Sequence, residues 1–373
     1  MMFKNYLQTI VIVALTISAG QATAGERWSL ERAKAWGEKH PRLVGCNYIP
    51  STAINQLEMW QAETFDPETI ERELGWARDL GFNSIRVFLH DIPWREDRDA
   101  FFRRVDRFLG IAERYGIGVM LVPFDGVWDP SPKSGRQPAP KPHLHNSGWV
   151  QSPGKEILSD PKKIAALEGY IKDLVGRFRD DPRVHAWDLF NEPDNPNRNS
   201  YGKVELPDKA ERALDLLRRS FEWARAIDPS QPLTSGVWWG DWSEENLSPM
   251  SRFQLENSDV ISFHDYSNLD TLKRRIASLE RFGRPILCTE YMARPAGSRF
   301  DPNLGYMVEK RIGAYNWGFV AGKSQTIYPW DSWEKTYTAE PPVWFHDIFR
   351  ADGSIYDEKE VEYIRRVTGK SKS

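Results

Sequence analysis

His185-Ala186-Trp187-Asp188-Leu189-Phe190-Asn191-Glu192-Pro193 is a short apolar run that stops abruptly in an amide, an acid and a proline. Its length and composition are those of a strand buried on both faces of a parallel sheet. Pro193 cannot continue a strand ladder, so the strand ends here and Asn191 and Glu192 project from its carboxyl end. Seven other runs look alike: Leu43 to Tyr48, Ser84 to Leu89, Gly118 to Phe124, Leu233 to Trp238, Val260 to His264, Ile286 to Glu290 and Lys323 to Tyr328.

Amphipathic segments with readable ends lie between these runs. Asp66-Pro67-Glu68 combines an N-cap acid, a proline whose missing N–H costs nothing and an acid in the first turn. Its apolar stripe is Ile70, Leu74, Ala77 and Leu80, and Gly81 stops it. Asp160-Pro161 opens a second stripe, Ile164, Leu167, Ile171, Leu174 and Phe178. Leu214, Leu217, Phe221, Ala224 and Ile227 form a third, and Leu272, Ile276 and Leu279 a fourth. Strand and helix alternate with no break in composition, which predicts the α/β class and a single-domain (β/α)₈ TIM barrel over residues 25–373. A doubly wound open sheet is the alternative, but no G-x-G-x-x-G fingerprint follows the first strand. Residues 127–159, rich in Pro, Gly, Lys and His, read as a long loop on the catalytic face.

Residues 1–24 read as an export signal. Lys4 supplies the positive start, Gln8 to Ser18 is mostly apolar, and Ala22-Thr23-Ala24 offers small residues for cleavage. That run is too short for a membrane span, which needs roughly 20 residues; a retained anchor is the alternative. A secreted or periplasmic protein, free of the membrane after cleavage, is expected. The net charge of -3 is spread along the chain and gives no basic footprint for nucleic acid. Cys46 and Cys288 are the only cysteines; both fall in strand runs, which favours buried free thiols over a disulfide.

Glu290 ends the run Pro285-Ile286-Leu287-Cys288-Thr289-Glu290. Strict alternation puts Ile286, Cys288 and Glu290 on one side, and an inward side would lift Glu290 into the barrel mouth. Two carboxyls at one mouth suit glycosidic bond cleavage, one protonated to serve the leaving oxygen and one ionised to attack or shield the sugar. Each glutamate taken singly is equally well a capping or an arginine-paired acid; the two together favour the catalytic reading.

With Asn191-Glu192-Pro193 after the fourth strand and a Glu after the seventh, the chain resembles the clan A glycoside hydrolases, and among them the cellulase-like family 5 enzymes. The resemblance implies a retaining glycosidase acting on β-linked polysaccharides, an endo-β-1,4-glycanase of glucan, mannan or xylan, with no cofactor and no metal. It implies Glu192 as acid/base, Glu290 as nucleophile, and Asn191 on the hydroxyl next to the reacting carbon. Arg86 would support the nucleophile, and a nearby cation does keep a carboxylate ionised. His264 and Tyr266 share a side at the end of the sixth strand, Tyr266 orienting the nucleophile, and Trp330 would floor the sugar beside the cut. One departure is Phe124-Asp125, where the family usually carries a histidine; His90 is the candidate stand-in.

The chain holds 16 Trp. Trp60, Trp128, Trp149, Trp238, Trp239 and Trp242 end or follow strands on the catalytic side, where indoles stack on the apolar faces of sugars. Trp128 and Trp239 are the chosen subsite candidates, and the remainder includes residues that close loops over the core. A metal at His143 and His145 lacks further ligands, and Asp125 and Asp129 do not make a calcium loop. An exo-acting glycosidase or transglycosylase on the same barrel, and a non-catalytic sugar-binding barrel, are the rival functions. A monomer with a polysaccharide or oligosaccharide substrate is expected.

Overall fold

The computed structural model describes residues 25–370, so the expected export signal at 1–24 lies outside the described residues. Eight parallel strands form the barrel: β1 Val44–Asn47, β2 Ser84–Phe88, β3 Gly118–Val122, β4 Val184–Asp188, β5 Leu233–Thr234, β6 Ile261–His264, β7 Ile286–Tyr291 and β8 Gly313–Asn316. Ladders run β5-β4-β3-β2-β1-β8-β7-β6, and a parallel bridge between Val237 and Phe263 joins the two ends. The sheet therefore closes, and the doubly wound alternative falls away.

The eighth strand corrects the sequence reading. Gly313–Asn316 occupies the place given to Lys323 to Tyr328 and pairs with Val44, Gly45 and Cys46. Lys323 to Tyr328 is irregular chain that instead clamps the long loop after β3: Asn146 N donates to the Ser324 carbonyl at 2.9 Å, and His145 Nδ1 lies 2.7 Å from the Tyr328 carbonyl.

Helices wrap the barrel as their stripes predict. The helix Pro67–Asp79 starts under an Asp66 cap that accepts from Thr69 N, buries Ile70, Leu74 and Ala77, and ends before Gly81 at φ +78°. Pro161–Phe178 buries Ile164, Leu167, Ile171, Leu174 and Phe178, and Leu269–Glu280 buries Leu272, Ile276 and Leu279. Lys209–Arg225 buries Leu217, Phe221 and Ala224, with Leu214 and Ile227 partly buried at its edge. These faces and the outward strand residues, Cys46 and Cys288 among them, make the main core; both thiols are free. Inside the barrel Leu43, Met120, Ala186, Val260, Leu287 and Tyr315 fill the lower layers, and Trp28 and Trp36 of the N-terminal segment pack with them. With its lower half largely filled, the barrel opens to solvent and ligands at its carboxyl end.

Candidate active site

β7 reaches the mouth by a device that alternation does not show. Ile286 and Cys288 belong to the outer core, while Leu287 belongs to the interior cluster. Opposite β6 the register runs Phe263 to Cys288 and then His264 to Glu290. Thr289 is thus the extra residue of a bulge, which re-aims the next side chain. Strict alternation is corrected here: Glu290 faces inward although Ile286 and Cys288 face outward.

β4 ends in a comparable irregularity. Phe190–Asn191 leaves the main ladder and pairs with Phe124–Asp125, and Glu192 sits at φ +39°, a left-handed conformation uncommon for a residue with a side chain. A Cβ on Gly126 would stand 2.3 Å from the Glu192 carbonyl, so only glycine lets the β3 loop lie against this turn.

Arg86, fully buried on β2, is the hub. Its Nε donates to Asp188 Oδ2 at 2.9 Å, Nη1 to Asn47 Oδ1 at 2.7 Å and to Glu290 Oε1 at 2.9 Å, and Nη2 to Asn191 Oδ1 at 2.7 Å. Tyr266 OH donates to Glu290 Oε2 at 2.7 Å. Asn191 is held from its other side too, Nδ2 donating to Asp125 Oδ1 at 2.9 Å. Asp125 also accepts from Trp149 Nε1 at 2.6 Å and Gln56 Nε2 at 3.0 Å.

Glu192 has no Lys or Arg in contact among the described residues. Its Oε2 accepts from Asn195 Nδ2 at 2.6 Å, and its Oε1 lies 2.7 Å from His264 Nδ1. Burial pushes the Glu192 carboxyl up to about 7, against the Asn195 hydrogen bond. Burial also raises Glu290, with the neighbouring Glu192 charge adding to it, while His264, Arg86 and Tyr266 oppose the rise. Burial holds His264 down at about 4, so its ring is neutral. Oxygen or nitrogen atoms of Glu192, His264 and Glu290 all lie within 4.8 Å of one another. Arg86 already supplies a positive charge to this cluster, which makes it a poor seat for a metal cation.

Above the carboxyls opens a cleft of about 570 Å³, within the roughly 300–1,000 Å³ of ligand sites. Asn191, His264, Tyr266, Trp330, Trp128 and Trp239 all line it, together with Glu192 and Glu290. Trp330 is 38% exposed and Trp239 53%. Trp330 meets the Tyr266 ring edge-on with centroids 5.0 Å apart.

The aromatic row divides. Trp128, Trp238 and Trp239 line the cleft, whereas Trp60, Trp149 and Trp242 are core residues with at most 2% exposure. His90 does not stand in for the missing histidine: it is fully buried, with Nε2 3.0 Å from the Gln151 carbonyl. His145, from the β3 loop, lines the cleft instead. His143 and His145 do not converge on a metal, since the first contacts Tyr328 OH at 2.6 Å and the second the Tyr328 carbonyl. Asn47, Asp188, Asn195 and Trp333 were not singled out as site residues from sequence, and Asp125 was considered there only as a calcium ligand; Asn47, Asp188 and Trp333 act through contacts distant in the chain, whereas Asn195 reaches Glu192 from three residues away.

A closed (β/α)₈ barrel with two carboxyls facing each other at the carboxyl-end mouth, beneath an indole-lined cleft, defines the class of barrel glycoside hydrolases. The chain belongs to the cellulase family, glycosyl hydrolase family 5, whose sequence profile matches residues 50–331. Mannan endo-1,4-beta-mannosidase F of Aspergillus clavatus is 32% identical over 91 residues, 24% of this chain and 19% of that protein. Putative mannan endo-1,4-beta-mannosidase 4 of Arabidopsis thaliana is 22% identical over 209 residues, 52% of this chain and 48% of the relative. The chain thus spans about a fifth of the fungal relative's length and about half of the plant one's. Among solved structures, a variant of a family 5 subfamily 18 protein from Streptomyces cattleya, in complex with Manb1-4GlcNAc, superposes with a TM-score of 0.58 at 16% identity. That match covers 88% of this chain and 80% of the other, and it supports the fold.

Proposed function

We propose that this protein is a retaining endo-β-1,4-glycanase acting on mannan-type chains, with Glu290 as nucleophile and Glu192 as general acid/base. Glu290 forms a bond to the anomeric carbon as the glycosidic C–O bond breaks, and Glu192 gives its proton to the leaving oxygen. In the second half Glu192 takes a proton from water, whose oxygen displaces Glu290. The observation that carries the reading is the spacing: oxygens of the two carboxyls lie within 4.8 Å. Retaining pairs stand about 5–5.5 Å apart, and inverting pairs about 6.5–9.5 Å, to admit a water. The same closeness removes the ground for a non-catalytic sugar-binding barrel.

In this reading Arg86 and Tyr266 hold Glu290 ionised and aimed, and His264 holds the Glu192 proton. Asn191 keeps one Nδ2 hydrogen for the sugar hydroxyl beside the reacting carbon. Trp330 floors the reacting sugar, and Trp128 and Trp239 stack on neighbours along the chain. Mannan is favoured because the relatives carry mannosidase names. Residues 1–24 support export to the periplasm or beyond; no helix among the described residues is long and apolar enough to cross a membrane.

The test is Glu290→Gln and Glu192→Gln assayed on soluble mannans, glucans and xylans by reducing-end release. Both variants are expected to lose nearly all activity; full activity in either ends the assignment. Exo action is the second reading, favoured by one feature. Trp128 stacks on Trp333 at 5.6 Å and 17°, and Tyr201 meets Trp333 at 5.2 Å, which walls the cleft beside Trp330. Products settle it: mixed oligosaccharides from endo action, a single small sugar from exo action.

A further inference from the structure

Beneath the Glu192–His264 contact, three polar side chains converge on Gly236. A Cβ at residue 236 would meet Ser262 Oγ and Thr289 Oγ1 at 3.3 Å and His264 Nε2 at 3.5 Å. All three residues are at least 98% buried. His264 Nε2 has no hydrogen-bond partner among the described residues, a state that is costly for a buried polar atom.

The hydroxyl protons nearby are already committed. Thr234 Oγ1 donates to the Val260 carbonyl at 2.8 Å. In its 2.7 Å contact with Ser262 Oγ it must therefore accept, and Ser262 must donate. Thr289 Oγ1 donates to the Phe263 carbonyl at 3.4 Å. Ser262 and Thr289 thus turn only lone pairs toward the space in front of Gly236. A water there gives its two protons to those oxygens and accepts from the third partner, His264 Nε2–H. The ring proton then sits on Nε2, and Nδ1 is left as an acceptor 2.7 Å from Glu192 Oε1.

We propose that Gly236, Ser262 and Thr289 are positioning residues that hold a buried water, and that this water fixes His264 in the tautomer accepting the proton of Glu192. The proposal rests on Glu192 being the general acid. Every hydrogen bond in the chain points one way, from the acid through the imidazole and the water to main-chain carbonyls of β6 and the residue before it. That order favours Glu192 protonated, as an acid catalyst must be before it acts. Glu290, Arg86 and Asp188 face His264, and Arg86, Asp194 and Lys209 face Glu192. Substitution at 236 or 289 removes none of these charges.

Gly236→Ala places a methyl against His264 Nε2, and Thr289→Val removes one acceptor without changing shape, which guards against a folding defect in the first variant. Each is assayed as kcat/KM against pH on two substrates: an unactivated β-1,4-manno-oligosaccharide and a 2,4-dinitrophenyl β-mannobioside, whose leaving group needs no proton. The expected result is selective. On the oligosaccharide the alkaline limb moves down by about half to one pH unit, and kcat/KM at pH 7 falls roughly two- to fivefold; on the dinitrophenyl substrate both stay as in the parent. Equal losses on both substrates, or an unmoved limb in both variants, overturn the proposal. Glu192→Ala separates the two layers of inference. If it too loses activity equally on both substrates, the acid/base assignment has failed; if it discriminates and Gly236→Ala does not, only the water site has.

Discussion

Asn195→Ala tests how the proposed acid, Glu192, is tuned. Burial lifts the Glu192 carboxyl to about 7, and the amide of Asn195 leads the opposing influences by donating to Oε2 at 2.6 Å. A hydrogen bond to a charged group is worth about 1.5–3 kcal/mol. At 1.36 kcal/mol per unit, its loss raises the pKa by about one to two units. Asn195 is only half-buried at the cleft edge, so entering solvent replaces part of that bond and leaves a rise of about one unit. The sign is set by which form the amide serves: it stabilises the carboxylate, so its removal favours the proton.

The alkaline limb of kcat/KM on an unactivated oligosaccharide should therefore move from about 7 to about 8. At pH 8 the protonated fraction of Glu192 rises from about a tenth to about a half. Asn195 Oδ1 also accepts from Asn197 N, so a thermal melt run alongside shows whether the loop survives. A limb that stays put or moves down, in a variant that melts normally, refutes the reasoning.

Two further outcomes follow from the same cluster. Glu192→Gln should stabilise the protein at pH 8. The folded carboxyl titrates near 7, against 4.5 for its ordinary value; between the two the folded state binds more protons, so stability falls as pH rises through that window and the full cost, about 3 kcal/mol, is present above it. The variant should then melt higher than the parent at pH 8 and equal to it near pH 4; equal melts at pH 8 refute it. Arg86→Leu should destabilise by about 3–5 kcal/mol in urea titrations at pH 8, because the Asp188 and Glu290 carboxyls lose their buried counter-charge. A loss below about 1 kcal/mol would contradict the hub assignment.

What the sequence makes legible is what local chemistry decides. Asp66-Pro67 and Asp160-Pro161 cap helices through contacts two or three residues away, and Pro193 marks the end of β4's extension by its own covalent structure. Lys323 to Tyr328 misleads because Thr326, Ile327 and Tyr328 have strand propensity, yet their partners are a loop. The true eighth strand begins Gly313-Ala314 and has little apolar signal. Its small residues answer a demand from elsewhere, for a Cβ at Gly313 would stand 2.4 Å from Leu287 Cδ2. The Thr289 bulge hides the inward turn of Glu290 for the same reason: register belongs to a pair of strands. Arg86 reaches Asp188, Asn191 and Glu290 across more than a hundred positions of chain, and nothing in its neighbours Ile85 and Val87 announces them.

On the proposed roles, that hub lets one buried pocket run an acid and a nucleophile together. Asp188, Glu290 and Glu192 crowd a region where Arg86 is the cation in direct contact, and a low-dielectric site cannot hold three carboxylates against one guanidinium. The two acids bonded to Arg86 ionise first, since each gains a charge-assisted contact at 2.9 Å. Glu192 has only an amide and a neutral imidazole beside it, so the proton that the cluster must keep stays there. The proposed division of labour between Glu192 and Glu290 is thus set by which strand carries the arginine. Moving the cation from β2 toward β4 would exchange the two pKa orders and stop the reaction with both glutamates still in place.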